Sequence, residues 1–94
     1  MAIRSFANRP TKALSEGFCP KGFPEKLLNV TRRKLAMLEA AHALRDLAIP
    51  PNNRLHQLHG DRRGQYAIWV NDQYRLCFRW HDGDAYDVEF VDYH

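Results

Sequence analysis

His56, His59, Arg62, Arg75, Arg79, Asp92, Tyr93 and His94 carry the side chains that could do chemistry together in this 94-residue sequence. They fall in three groups. Arg54 to Gly64 delivers two imidazoles and three guanidiniums, with Gly60 and Gly64 bracketing Asp61-Arg62-Arg63. Tyr74 to His81 places Arg75 and Arg79 two turns of alternation apart. Asp92-Tyr93-His94 puts an acid, a phenol and an imidazole side by side. RNA can be cut by such a set, because its own 2′-hydroxyl attacks the adjacent phosphorus. A base must take the 2′ proton, an acid must protonate the 5′ oxygen, and cations must stabilise the phosphorane. Histidine suits the first two tasks near neutral pH, and the bidentate fork of arginine suits the third. The inventory alone is unspecific, since many small basic proteins hold two histidines and two arginines.

A zinc site is the competing reading. His56 and His59 have i, i+3 spacing, and Cys19 and Cys77 could complete four ligands. The two cysteines are singletons from distant parts of the chain and form no CxxC. They read better as free thiols in a reducing, cytoplasmic protein without cofactor or metal.

The elements that must position these groups follow from period and punctuation. Tyr74, Leu76, Phe78 and Trp80 alternate with Arg75, Cys77, Arg79 and His81, the pattern of a half-buried strand. Tyr86, Val88 and Phe90 alternate in the same way with Asp87, Glu89 and Val91. Tyr66, Ile68 and Val70 mark another strand over residues 65–70. Asn71-Asp72 and Asp82-Gly83-Asp84 sit where hairpin turns belong. An antiparallel meander is expected, with Trp69, Arg75, Cys77 and Arg79 on an open working face.

Before it, residues 2–6 read as a short first strand. Asn8 and Pro10 begin a helix that Gly17 stops. The loop 18–23 carries Lys21. A main helix should run from Pro24 or Glu25 to about Asp46, with Leu27, Leu28, Thr31, Leu35, Leu38 and Ala41 on one stripe. His42 falls in that stripe and reads as a packed histidine. Arg32, Arg33 and Lys34 should wrap its exposed flank. Ile49-Pro50-Pro51-Asn52-Asn53 is a linker, and Arg54 to Gly64 is extended or looped. The fold class is α+β: an N-terminal strand and two helices on one face of a small antiparallel sheet, as a single domain over residues 1–94.

Composition agrees with a globular chain, at 45% apolar and 12% aromatic residues. No apolar run is long enough for a membrane span, and no secretory signal is expected. The net charge is +3, but residues 82–94 hold five acids and no Lys or Arg. The preceding 81 residues therefore carry +8, which suits a polyanionic partner.

From Leu55 to Arg62, then at Gly64, Tyr74-Arg75, Gly83 to Tyr86 and Asp92-Tyr93-His94, the sequence resembles the HigB-type toxins of bacterial type II toxin–antitoxin modules, in the RelE superfamily. The resemblance extends to residues 3–6 and to Lys34-Leu35-Ala36-Met37-Leu38. It implies a microbial-ribonuclease-like domain that enters the ribosomal A site and cuts mRNA during translation. It also implies a helix-turn-helix antitoxin that holds the toxin inactive and carries it to operator DNA. The family's functional positions map onto His56, Arg75, Asp92, Tyr93 and His94. RNA contacts are expected from His59, Arg62, Arg63, Gln73, Arg79 and Lys21. His59 departs from the pattern, which has lysine there; it exchanges a constant charge for a titrating one. A gyrase-binding or co-repressor module on the same scaffold is the alternative, and it would not need His56 with Asp92-Tyr93-His94. The antitoxin is expected on the Arg32-Arg33-Lys34 flank.

Overall fold

The structure is a computed structural model that describes residues 2–93. His94, one of the expected catalytic residues, lies outside the described residues. Four strands form one sheet in the order β1-β2-β3-β4: β1 His56–Gln57, β2 Tyr66–Trp69, β3 Tyr74–His81 and β4 Asp84–Asp92. All three pairings are antiparallel and join sequence neighbours. The meander follows from local turn chemistry. The Asn71 carboxamide accepts the Gln73 and Tyr74 amides at 2.9 and 2.8 Å, and Asp82 and Gly83 take positive φ at the next turn.

Helix α1, Arg9–Ser15, begins where expected. The Asn8 side chain accepts the Thr11 amide at 3.0 Å, and Gly17 turns left-handed at φ 95°. Helix α2, Leu28–Ala40, follows a 3-10 turn at Glu25–Leu27. Leu14 of α1 and Leu35 and Leu38 of α2 are buried against Ile68, Leu76, Phe78 and Val88 of the sheet. Both helices therefore cover one face, and no helix among the described residues is long and apolar enough to cross a membrane.

Five expectations need correction. Helix α2 stops at Ala40 rather than near Asp46, because Ala41 is extended and a separate 3-10 turn runs over Leu44–Leu47. The Asp46 carboxylate accepts the amides of His42 and Ala43 at 2.9 and 3.0 Å. These two backbone hydrogen bonds hold Asp46 below the usual carboxylate range. The Glu39 carbonyl receives the Ala2 amide at 3.0 Å, which satisfies a group the shortened helix leaves open. His42 is consequently exposed rather than packed.

The basic flank of α2 is not uniformly solvated. Arg32 donates to the Gly17 carbonyl, and Lys34 is buried against Asn53, which leaves Arg33 as the exposed member. The N-terminal segment is not a regular strand but two isolated parallel bridges to β4, Ile3 with Ala85 and Phe6 with Val88. The cause is a bulge in β4. Phe78 of β3 faces both Asp87 and Val88, Asp87 has φ 54°, and its amide bonds the Ser5 hydroxyl at 2.9 Å. The bulge also reverses side-chain parity. Ala85 and Val88 both enter the core, and Tyr86 shares its row with Arg79 instead of aligning with Val88 and Phe90.

Candidate functional site

The sheet face away from the helices holds a second, smaller apolar cluster of Leu58, Ala67 and Cys77, with Val91 packed on it. Two cross-strand rows define this face. One joins His56, Ala67, Cys77 and Glu89; the other joins Trp69, Arg75 and Val91. The polar groups at the rim are thus carried by regular strands over a small dry floor, which fixes their directions.

Tyr93 is the hub. Its amide bonds the Gln73 carbonyl at 2.7 Å, which extends β4 past its last paired residue and turns the ring onto the open face. The His56 ring meets it edge-on at 6.2 Å between centroids, and the Arg75 guanidinium lies 5.3 Å from its centroid. Arg75 is tethered at one end: its Nη1 donates to the carbonyls of Asn71 and Tyr74. Its Nε is buried without a partner among the described residues. The His56 ring is exposed, and its Nδ1 lies 2.9 Å from the Arg54 carbonyl oxygen.

Of the expected residues, His56, Arg75 and Tyr93 come together. Asp92 shares its row with Tyr74, and its Oδ2 accepts from Gln73 Nε2 at 3.1 Å. Tyr74 stacks on Phe90 at 4.7 Å on the helix side of the sheet, so the shared row places Asp92 on that side and not with His56, Arg75 and Tyr93 on the open face. Arg62 is half-buried and bridges Gln65 and Glu89 at 3.1 and 3.2 Å. Arg79 pairs with Asp87 at 3.5 Å. His59, Arg63 and Lys21 are exposed.

Two further residues of the face, Arg54 and Trp69, were not expected to touch each other. The Arg54 guanidinium lies 4.4 Å over the Trp69 ring, a cation–π contact. Trp69 was placed on this face by alternation, but its partner comes from the polar stretch after the linker, where no period connects them.

Cys77 lies fully buried in the floor, and that burial pushes its thiol up to about 11. It is a packing group, inert because the thiolate is the reactive form. Cys19 is exposed. Iodoacetamide at pH 8 should therefore label one thiol per native chain and two after denaturation; rapid native labelling of both would contradict the buried floor. Because the folded thiol titrates above its ordinary value of 9.0, its contribution to stability is complete below about pH 9 and lost as pH rises toward 11.

A family model described as the RelE-like toxin of the type II toxin–antitoxin system HigB matches residues 13–94. Toxin HigB-1 of Vibrio cholerae serotype O1 is 46% identical over 71 residues, covering 76% of this chain and 74% of its own length. Endoribonuclease HigB of Proteus vulgaris is 30% identical over 95 residues, covering 98% of this chain and 99% of its own length. A protein of Haemophilus influenzae without an assigned function is 35% identical over 71 residues, 76% of this chain and 69% of its own. With its α+β architecture and a match over most of its length, the chain belongs to the HigB family of RelE-like toxins of type II toxin–antitoxin systems, a membership that implies an antitoxin partner.

Proposed function

We propose that this toxin is a ribosome-dependent endoribonuclease that cuts translated mRNA in the A site. The observation that carries the reading is the convergence of His56 and Arg75 on the Tyr93 ring over an open sheet face. The similarity to a Proteus vulgaris relative named as an endoribonuclease supports it.

The reaction needs no external nucleophile and no metal. The 2′-oxygen bonds to phosphorus and its proton passes to a base; the bond from phosphorus to the 5′ oxygen breaks and that oxygen takes a proton from an acid. A 2′,3′-cyclic phosphate and a 5′-hydroxyl end result. His56 moves one of the two protons. His94 moves the other, with Asp92 as its support. Arg75 stabilises the phosphorane charge, and Tyr93 stacks on or hydrogen-bonds the substrate. His59, Arg62, Arg63, Gln73, Arg79 and Lys21 supply the RNA contacts around this centre. Arg62 and Arg79 do so from existing ion pairs, which spend part of their charge within the protein.

What the face offers supports ribosome dependence. It has positive charge for a phosphate backbone, but among the described residues one exposed aromatic ring, Tyr93, and a Trp69 already covered by Arg54. That is little stacking surface to hold a free strand in register. A helix-turn-helix antitoxin covers the basic body, and operator DNA is reached through it. Induction in cells followed by mapping of new mRNA 5′ ends should show cuts phased to the reading frame. Purified mRNA without ribosomes should stay intact. Efficient, specific cutting of naked mRNA would overturn ribosome dependence, and growth arrest without new mRNA ends would favour a non-catalytic toxin or co-repressor.

A further inference from the structure

Lys34 sits on α2, on the far side of the sheet from Tyr93, and is only 5% exposed. Burial is the main reason its ammonium loses protons more easily than usual, with the neighbouring Arg33 adding to the effect. A buried ammonium is expensive unless it is paired and hydrogen-bonded. Its partner among the described residues is a neutral one, the Asn53 carboxamide oxygen. Asn53 is itself fully buried, and its Nδ2 donates to the Leu47 carbonyl at 3.0 Å. Asn53 thus ties together α2, the turn after it and the 3-10 turn Pro51–Asn53.

The next residue shows what the tie holds. Arg54 has φ 46° and ψ 47°, a left-handed conformation that costs a side-chain-bearing residue energy and persists only where its surroundings impose it. The anchor before it is Asn53, and the anchor after it is the guanidinium over Trp69. In this conformation the Arg54 carbonyl points at His56 Nδ1 at 2.9 Å. A carbonyl only accepts, so Nδ1 must carry the hydrogen. Nε2 is then the nitrogen left to exchange a proton with substrate, whether His56 acts as acid or as base. An isolated histidine in water favours the opposite, Nε2–H form.

We propose that Lys34 and Asn53 are positioning residues for the cleavage reaction: their buried pair holds Arg54 left-handed, and the Arg54 carbonyl thereby fixes the His56 tautomer. The inference rests on the endoribonuclease reading only for its consequence. The tautomer itself is a property of the folded protein without RNA.

The test separates the two. Ring ¹⁵N spectra of the histidine-labelled full-length protein, with His56 assigned by its loss in His56→Gln, should show the neutral imidazole protonated at Nδ1. A dominant Nε2–H form would overturn the proposal without bearing on cleavage. Lys34→Met removes the ammonium at similar length. It should shift His56 to a mixture of tautomers and lower kcat about tenfold with KM unchanged, by analogy with the roughly 10–100-fold cost of losing a group that orients a metal-binding imidazole. If Lys34→Met does not fold, Asn53→Ser carries the same expectation, since its hydroxyl falls short of the ammonium. A folded variant of either kind with the native tautomer would overturn the role of the pair. Native tautomers together with no cleavage by the unsubstituted protein would leave the positioning intact and remove the endoribonuclease reading instead.

Discussion

His56→Gln is expected to lower mRNA cleavage by about 10²–10⁴, the usual contribution of a general acid or base. Growth inhibition should disappear with it. Glutamine keeps the polarity of the position but cannot exchange a proton. The ring is exposed, so stability should move by no more than about 0.5 kcal/mol, as for other surface substitutions. Antitoxin binding should be retained. His94→Gln is expected to match it, because the reaction moves two protons and each needs a carrier. The comparison is decisive when cleavage, melting temperature and antitoxin affinity are measured on the same preparations. A folded His56→Gln protein that still arrests growth would remove the proton-transfer role and favour a toxin that binds without cutting.

How far the sequence led depended on whether the cause was local. The meander of β2, β3 and β4 was legible because each pairs with its sequence neighbour through turns marked by Asn71 and Gly83, whereas the two-residue β1, in a stretch read only as extended or looped, is too short to show a period. Helix α1 was legible because its cap and its stop lie within ten residues of each other. The end of α2 was not, since Ala41 to Ala43 contain neither Gly nor Pro. The helix yields there to Asp46 reaching back to two amides and to Ala2 arriving from the N-terminus. The bulge at Asp87 was also hidden: alternation assumes a constant period of two, and one Asx residue in positive φ breaks it.

The same distinction applies to the site. Arg75 and Tyr93 could be placed on the open face by counting along strands, and their meeting with His56 is what the antiparallel order produces. The support beneath His56 could not be read. Lys34 lies on a helix position that looks solvated, and its partner Asn53 follows two prolines in an apparent linker. Only the packing of the linker turn against α2 brings the pair together, and no periodicity encodes that contact.

Arg75→Lys should lower cleavage by about 10²–10³, the loss typical of removing one group that stabilises developing charge in a transition state. The geometry explains why a conserved charge should not rescue activity. Nη1 of Arg75 is already engaged by the Asn71 and Tyr74 carbonyls, while the planar guanidinium lies against the Tyr93 ring. One group is therefore anchored through Nη1 and still able to present Nη2 to phosphate. A lysine ammonium is a compact point charge without that fork. Bonding the two carbonyls would pull it away from the phosphate, and bonding the phosphate would leave the Asn71 turn unsupported. Arg75→Ala removes the charge altogether and sets the scale of the loss. If the fork matters, Arg75→Lys falls close to Arg75→Ala. If only positive charge near the phosphorane matters, Arg75→Lys stays close to the unsubstituted protein, and the anchored geometry described for Arg75 has no catalytic consequence.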